Sequence, residues 1–327
     1  MAFYIADAHC DFLYGMINRG YTLDHRQPNQ AVHLPRMIEG GVAIQFFAAW
    51  MDSQLKTTFL QQFITMADAY YRMLEEHADI LTPFFADFLP GEGKIAAVLT
   101  IEGGEAIEGR LSNLRIFRKL GVRAITLTWN EKNELAYPAI GRKNKGLTRL
   151  GKDVVREMNR LNIALDVSHL NDAGIDDALA LSNKPIFASH SNARAVYDNP
   201  RSLSDAHILA IAEKGGVIGV NFYDKQLGPD RPVSSDDVRR HIDHIVSIGG
   251  VKCAAIGSDF DGMSVYPLDL KHSADMPNLI NALLRSGYRE EDVSRIAYDN
   301  LRDYIVQFEE EAPTYGSGQI EENAQDN

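Results

Sequence analysis

The chain has 327 residues, of which 45% are hydrophobic and 24% charged, the composition of a globular protein that can bury a large core. Its formal net charge of −12 disfavours binding to nucleic acid or to anionic membranes, and small molecules are the expected partners. The two cysteines, Cys10 and Cys253, show no Cys-x-x-Cys spacing, so neither a disulfide framework nor a thiolate zinc site is indicated.

Targeting signals are not evident in the sequence. The first residues lack the basic and apolar regions of a signal peptide, and no apolar run approaches the roughly 20 residues of a membrane span. We therefore expect a cytoplasmic protein with no membrane association.

Eight short apolar segments recur along the chain and alternate with longer segments of helical periodicity. This alternation is typical of β-α-β units, and about eight units favour a closed (β/α)8 barrel over an open sheet. No Gly-x-Gly-x-x-Gly turn follows the first segment, which also argues against a dinucleotide-binding open sheet. The predicted strands are 4–8, 43–49, 95–101, 124–128, 164–167, 186–188, 217–220 and 254–256.

One domain accounts for most of the chain. We predict a single barrel over residues 1–306, with additional helix within 53–89. Residues 307–327 are rich in Glu, Gly, Ser, Gln and Asn, a composition that predicts a disordered acidic tail.

Candidate metal ligands follow the first and third predicted strands. His9 and Asp11, two positions apart, project to the same side of an extended chain, and imidazole with carboxylate suits a zinc-like ion. Cys10 points the other way and is expected to pack in the core. Glu102 ends the third strand before two glycines and is a candidate to bridge two ions.

Three further candidates follow later strands. His169 and His190 end the fifth and sixth strands in similar contexts, and Asp259 ends the eighth. All of these positions are at the carboxyl ends of strands, where barrel enzymes build their active sites. Asp261 precedes Gly262 and is expected in a turn. His241 and His244 lie on the helix predicted before the eighth strand, away from that end, and are expected to be structural.

With these residues identified, the chain resembles the membrane (renal) dipeptidase family of zinc dipeptidases. The resemblance extends from residue 7 to about residue 300 and rests on the order of motifs, not on any single one. Besides the candidate ligands it includes Val32-His33-Leu34-Pro35-Arg36, Gly121-Val122-Arg123, Gly146-Leu147-Thr148 and Glu157-Met158-Asn159-Arg160-Leu161.

The resemblance implies two Zn²⁺ ions that share Glu102. His9 and Asp11 would hold the first with Asp259 beside it, and His169 and His190 the second. A water shared by the ions would be the nucleophile. Glu102 and Asp259 are the implied catalytic residues, with Asp259 passing a proton to the leaving amine.

The resemblance also implies how substrate is held. Arg201 matches the arginine that binds the carboxylate of the dipeptide, whose C-terminal residue is of D configuration in some family members. A homodimer is a family-level expectation.

One departure from the family concerns the substrate. Trp129 stands where well-known members have a histidine that contacts the substrate carbonyl, so this role is expected to pass to the metal ions or to Asn130. Two alternatives stay open: a metal-dependent hydrolase of a lactone, cyclic amide or phosphoester, and a metal-binding homologue with impaired catalysis.

Overall fold

The computed structural model describes residues 3–91, 93–228 and 231–309. Eight parallel strands follow one another around a barrel in the order β7-β6-β5-β4-β2-β1-β9-β8, and a bridge between Ala188 and Ile218 joins the two ends of this order. The strands are β1 Ile5–Cys10, β2 Val42–Trp50, β3 Leu81–Pro83, β4 Ile95–Glu102, β5 Val122–Thr126, β6 Ala164–Asp166, β7 Ile186–Phe187, β8 Ile218–Val220 and β9 Ala254–Ile256.

The prediction of a (β/α)8 barrel is confirmed. Each of the eight predicted strands overlaps an observed one, and β6, β7 and β8 are each one residue shorter than predicted. The additional strand β3 pairs with β4 outside the ring, within the segment for which only extra helix was predicted.

Twelve α-helices lie among the described residues. They are α1 Phe12–Asn18, α2 Leu34–Glu39, α3 Phe59–Glu76, α4 Leu111–Lys119, α5 Arg149–Leu161, α6 Asp172–Leu181, α7 Asp205–Glu213, α8 Asp224–Leu227, α9 Ser235–Gly249, α10 Met276–Arg285, α11 Glu290–Ser294 and α12 Asn300–Val306. Within the described ranges, none is both long and apolar enough to cross a membrane.

Helix α5 illustrates how the sequence sets these elements. It begins where the Thr148 side chain accepts a hydrogen bond from the backbone of Gly151, and it ends at Asn162, whose backbone is left-handed. Val154 and Met158 share its buried face, as the helical periodicity predicts. The helix therefore covers the outside of the sheet with one apolar stripe.

A cluster of apolar side chains fills the inside of the barrel. Small side chains such as Ala6 and Ala96 alternate there with larger ones such as Phe46 and Phe187. Helix α12 closes the amino-terminal end, where Tyr304 and Phe308 pack against the same cluster. Polar groups are consequently concentrated at the opposite, carboxyl end of the strands.

The position of Phe308 refines the predicted boundary of the tail. Phe308 is buried and Glu309 pairs with Arg123, so the packed part of the chain reaches beyond residue 306. The rest of the predicted tail, residues 310–327, lies outside the described residues.

Candidate metal centre

The structure brings His9, Asp11 and Asp259 together at the carboxyl ends of β1 and β9. The His9 Nε2 atom lies 3.4 Å from Asp11 Oδ2. One nitrogen of His9 and one carboxylate oxygen of each acid lie within 4.8 Å of one another, a spacing that one metal ion can span. These two strands are neighbours in the barrel, which explains why residues 250 positions apart meet.

Glu102 joins this group to the two histidines that follow β6 and β7. Its Oε1 atom lies 2.9 Å from His169 Nε2 and 3.4 Å from His190 Nε2. Its other oxygen, Oε2, faces His9 Nε2 at 3.7 Å. The two oxygens of one carboxylate thus face different histidines, as in a bridging ligand. All six predicted metal-site residues surround one small volume.

Five of the six side chains are buried and that of Asp259 is partly buried, and their pKa values reflect burial in competition with neighbouring charge. Burial favours a lower pKa for His9, but the carboxylates of Glu102, Asp11 and Asp259 outweigh it and raise the pKa to about 10. Burial raises the pKa of Glu102 well above its usual range and that of Asp259 to about 6. Burial and the nearby cations lower the pKa of His169 and of His190 well below the usual value.

These residues fit divalent cations. Among the described residues, the buried Nε2 atom of His9 has no hydrogen-bond partner. Three buried carboxylates crowd the same volume, and such crowding is costly unless a cation compensates it. Imidazole nitrogens with carboxylate oxygens are the donors that zinc prefers.

Backbone conformation at the centre is unusual. His169 and Asp259 have φ values of 66° and 61°, in the left-handed region that side chains with a Cβ rarely adopt. Gly262 allows Asp11 and Asp259 to approach, since a Cβ there would lie 2.1 Å from Asp11 Oδ2. Strained backbone conformations therefore occur at the point where the candidate ligands meet.

Neighbouring polar groups orient the two later histidines. The Nδ1 atom of His169 lies 2.8 Å from Asn130 Oδ1, and that of His190 lies 2.8 Å from Ser189 Oγ. Ser189 Oγ in turn donates to Asp166 Oδ2 at 2.6 Å. With Nδ1 occupied in this way, each ring presents Nε2 to the centre.

Sequence reasoning missed part of this arrangement. It did not assign Asp166, Ser189 or Asn221, whose side-chain amide donates to Asp259 Oδ2 at 3.0 Å. Asn221 directly follows β8, so the same strand-end signal that marked the ligands applies to it. Asn130, predicted as a substrate contact, lines the cavity but its oxygen is engaged with His169.

A cavity of about 890 Å³ opens over the centre. Arg201 lines it and is almost fully buried, and burial lowers its pKa to about 10 while Glu102 and Asp259 oppose that shift. Trp50 and Trp129 form an aromatic side of the cavity, with ring centroids 4.8 Å apart in an edge-to-face arrangement. The volume suits a small substrate.

The residues expected to be structural have partners outside the candidate metal centre. Cys10 packs in the apolar core. Asp261, which has a φ of 66°, accepts hydrogen bonds from the backbones of Ala31 and Val32. His241 of α9 is buried against Ala193 and the end of α8, and His244 pairs with Asp205 at the surface.

Comparison with known proteins gives consistent matches. A sequence model of the family described as membrane dipeptidase (peptidase family M19) matches residues 1–313. An uncharacterized dipeptidase of Schizosaccharomyces pombe is 38% identical over 219 residues, which cover 66% of this chain and 53% of that protein. Dipeptidase 3 of Rattus norvegicus is 30% identical over 284 residues, which cover 85% and 58% of the two chains. The chain thus spans little more than half the length of these two relatives.

A solved structure covers almost the whole fold. It is a metallo peptidase from Rhodobacter sphaeroides, crystallised with a phosphinate mimic of the dipeptide L-Ala-D-Ala. It superposes with a TM-score of 0.85 at 27% sequence identity, over 93% of this chain and 99% of that one.

Proposed function

This chain belongs to the membrane dipeptidase family, peptidase family M19, and on that premise we propose that it is a binuclear zinc dipeptidase. His9, Asp11 and Glu102 would hold one ion with Asp259 beside it, and Glu102, His169 and His190 would hold the other. When bound, the two ions would supply activation of water and polarisation of the scissile carbonyl.

The position of Glu102 is the single observation that carries the binuclear assignment. Its two oxygens face different histidines, at 2.9 Å for His169 and 3.7 Å for His9. A carboxylate that served one ion would have no need to reach both groups. Glu102 also ends β4, between the strands that carry these histidines, a position that supports a bridging role.

Asp259 is the proposed proton carrier. Its carboxylate lies beside His9 and Asp11 at the candidate centre, and a carboxylate placed there can accept a proton and then release it. The amide of Asn221 binds Oδ2 of Asp259 at 3.0 Å and fixes the orientation of the carboxylate. Asp259 would pass the proton to the departing amine.

Arg201 is the proposed binding group for the C-terminal carboxylate of the dipeptide. Its guanidinium is buried beside the metal centre and offers paired donors that match a carboxylate. A D residue at that position is supported by the ligand of the Rhodobacter sphaeroides peptidase, which mimics L-Ala-D-Ala.

A dipeptide panel with metal quantification tests the proposal. Purified protein is loaded with Zn²⁺, and its metal content is measured before release of amino acids from L-Ala-L-Ala, L-Ala-D-Ala and an N-acyl amino acid. We expect about two ions per chain and hydrolysis of dipeptides. R201A should raise KM by roughly 10- to 100-fold, because a charge-assisted contact is lost.

The control is R285A, which makes the same change at the exposed end of α10, away from the cavity. It should leave KM unchanged. Hydrolysis of the N-acyl amino acid in place of the dipeptides would overturn the substrate class. One ion per chain in a fully active enzyme would overturn the binuclear assignment.

A further inference from the structure

The cavity over the metal centre has a second group of cations, separate from Arg201. We call this group the basic cluster; it comprises Arg19, Arg26, Arg36 and Lys271. We propose that the basic cluster binds an acidic side chain on the N-terminal residue of the substrate. The proposal rests on the dipeptidase function and names the substrate class within it.

Charge in the cavity is opposite to that of the whole molecule. The chain has 45 acidic residues against 33 Lys and Arg, so cations would be expected to find carboxylate partners easily. Yet four carboxylates line the cavity, and Asp11, Glu102 and Asp259 among them belong to the metal centre. The fourth, Asp261, is engaged by the backbones of Ala31 and Val32. The cluster therefore has little compensation from the chain itself.

The cations of the basic cluster have few partners of their own. Within the described ranges, Arg19, Arg26, Arg36 and Lys271 form no ion pair with a carboxylate. Arg19 and Arg36 instead donate to backbone carbonyls, Arg19 to Asp261 and Arg36 to Gln30. Their charges remain available to an anion in the cavity.

The Val32-His33-Leu34-Pro35-Arg36 motif contributes to the cluster. Arg36 is more than nine-tenths buried, which is unusual for an arginine without an acidic partner. The neighbouring His33 is also buried, and neither ring nitrogen has a hydrogen-bond partner among the described residues. Burial and the neighbouring Arg36 lower the pKa of His33 to about 4, so its ring is uncharged near neutral pH. Arg36 is thus the positive charge that this motif contributes to the cavity.

Barrel topology places the cluster near one end of a bound dipeptide. Arg201 lies on the loop after β7, whereas Arg26 follows β1 and Lys271 follows β9. Strands β1 and β9 also precede candidate ligands of the first ion, whereas β6 and β7 precede those of the second. A dipeptide with its carboxylate at Arg201 and its amide at the centre directs its N-terminal residue toward the basic cluster.

Matched dipeptides test this inference. The Zn²⁺-loaded enzyme is assayed with Glu-Ala and Gln-Ala, which differ in one charge, and with Ala-Glu and Ala-Gln as controls of position. We expect kcat/KM for Glu-Ala to exceed that for Gln-Ala by about tenfold at low ionic strength. The ratio should fall several-fold in 0.5 M salt, roughly, because Arg26 and Lys271 are exposed and their charges are screened.

Variants assign the preference to the cluster. The double variant R26Q/K271Q should lower the Glu-Ala to Gln-Ala ratio to within about threefold. R285Q removes an exposed arginine outside the cavity and should keep the full ratio. Equal rates for Glu-Ala and Gln-Ala, or a preference confined to Ala-Glu, would overturn this inference alone. Failure to hydrolyse any dipeptide would overturn the proposed function and this inference with it.

Discussion

Asn130 Oδ1 lies 2.8 Å from Nδ1 of His169, on the edge of the ring away from Glu102. Because an amide oxygen can only accept, Nδ1 carries the proton and the Nε2 lone pair points at the centre. His169 also has a left-handed backbone conformation. This conformation and the hydrogen bond to Asn130 together restrict the orientation of its ring. Asn130, which follows the departure at Trp129, is therefore a positioning residue.

Substitution of Asn130 should weaken metal binding before it affects folding. N130L removes the acceptor at similar volume, and we expect the affinity of one ion to fall about 10- to 100-fold. N130D keeps an oxygen in place and should retain most of that affinity. Chelator competition measures the affinity, and circular dichroism checks the fold. Equal affinities in N130L and N130D would show that Asn130 does not act through His169.

The hydrogen bonds from Asp166 through Ser189 to His190 give a second prediction. S189A leaves His190 Nδ1 without its partner at 2.8 Å, so we expect roughly tenfold weaker binding of one ion. T126V is the matched control, since Thr126 also donates to Asp166 Oδ2 at 2.6 Å but is not bonded to His190. Isothermal titration calorimetry with Zn²⁺ measures the affinity of the two variants for the ion. The same loss in both variants would assign the effect to Asp166 itself.

Trp129 gives a prediction about substrate preference. Its ring lies edge to face with Trp50 on one side of the cavity, where an apolar side chain can pack. W129A should raise KM for dipeptides with large apolar residues by about tenfold, with less effect on Gly-Gly. W129F keeps an aromatic ring, and its KM values should be close to those of wild type. A uniform fall in kcat for all substrates would instead place Trp129 in the chemical step.

The barrel could be predicted because each strand has an apolar segment of its own. Segments such as 95–101 stand out by composition, and eight of them fix the architecture. Strand β3 was not predicted, because a segment of three residues is too short to show a hydrophobic periodicity. The burial of Phe308 was not predicted, because it depends on where α12 ends beneath the barrel. Long-range packing of this kind leaves no local pattern.

The candidate site could be located but not completed. Strand-end position singled out Glu102 and His190, and the family resemblance added Arg201. The hydrogen bond between Asn130 and His169 could not be foreseen, because it depends on the rotation of two side chains that follow different strands. The basic cluster likewise depends on how the loop after β1 folds over the cavity. The cytoplasmic location and the homodimer stay predictions.

His241 gives a prediction of acid sensitivity that is independent of the metal centre. Its ring is buried, with Nδ1 accepting from the Ala193 amide at 3.1 Å and Nε2 3.2 Å from the Leu227 carbonyl. Burial lowers its pKa from 6.5 to about 4. Between these values the unfolded chain binds a proton that the folded chain does not. The free energy of unfolding therefore decreases as pH falls from about 6.5 to about 4.

H241N isolates this contribution, because asparagine keeps an acceptor near the position of Nδ1 but does not titrate. At pH 7.5, roughly, the variant should be less stable than wild type by about 1 to 2 kcal/mol, owing to the lost ring volume. The difference should narrow on acidification and reverse near pH 4, roughly, since wild type alone loses a contribution on the order of 3 kcal/mol from His241. Urea unfolding at several pH values measures both. A gap that stays constant down to about pH 4 would mean that His241 takes up its proton without cost in the folded protein.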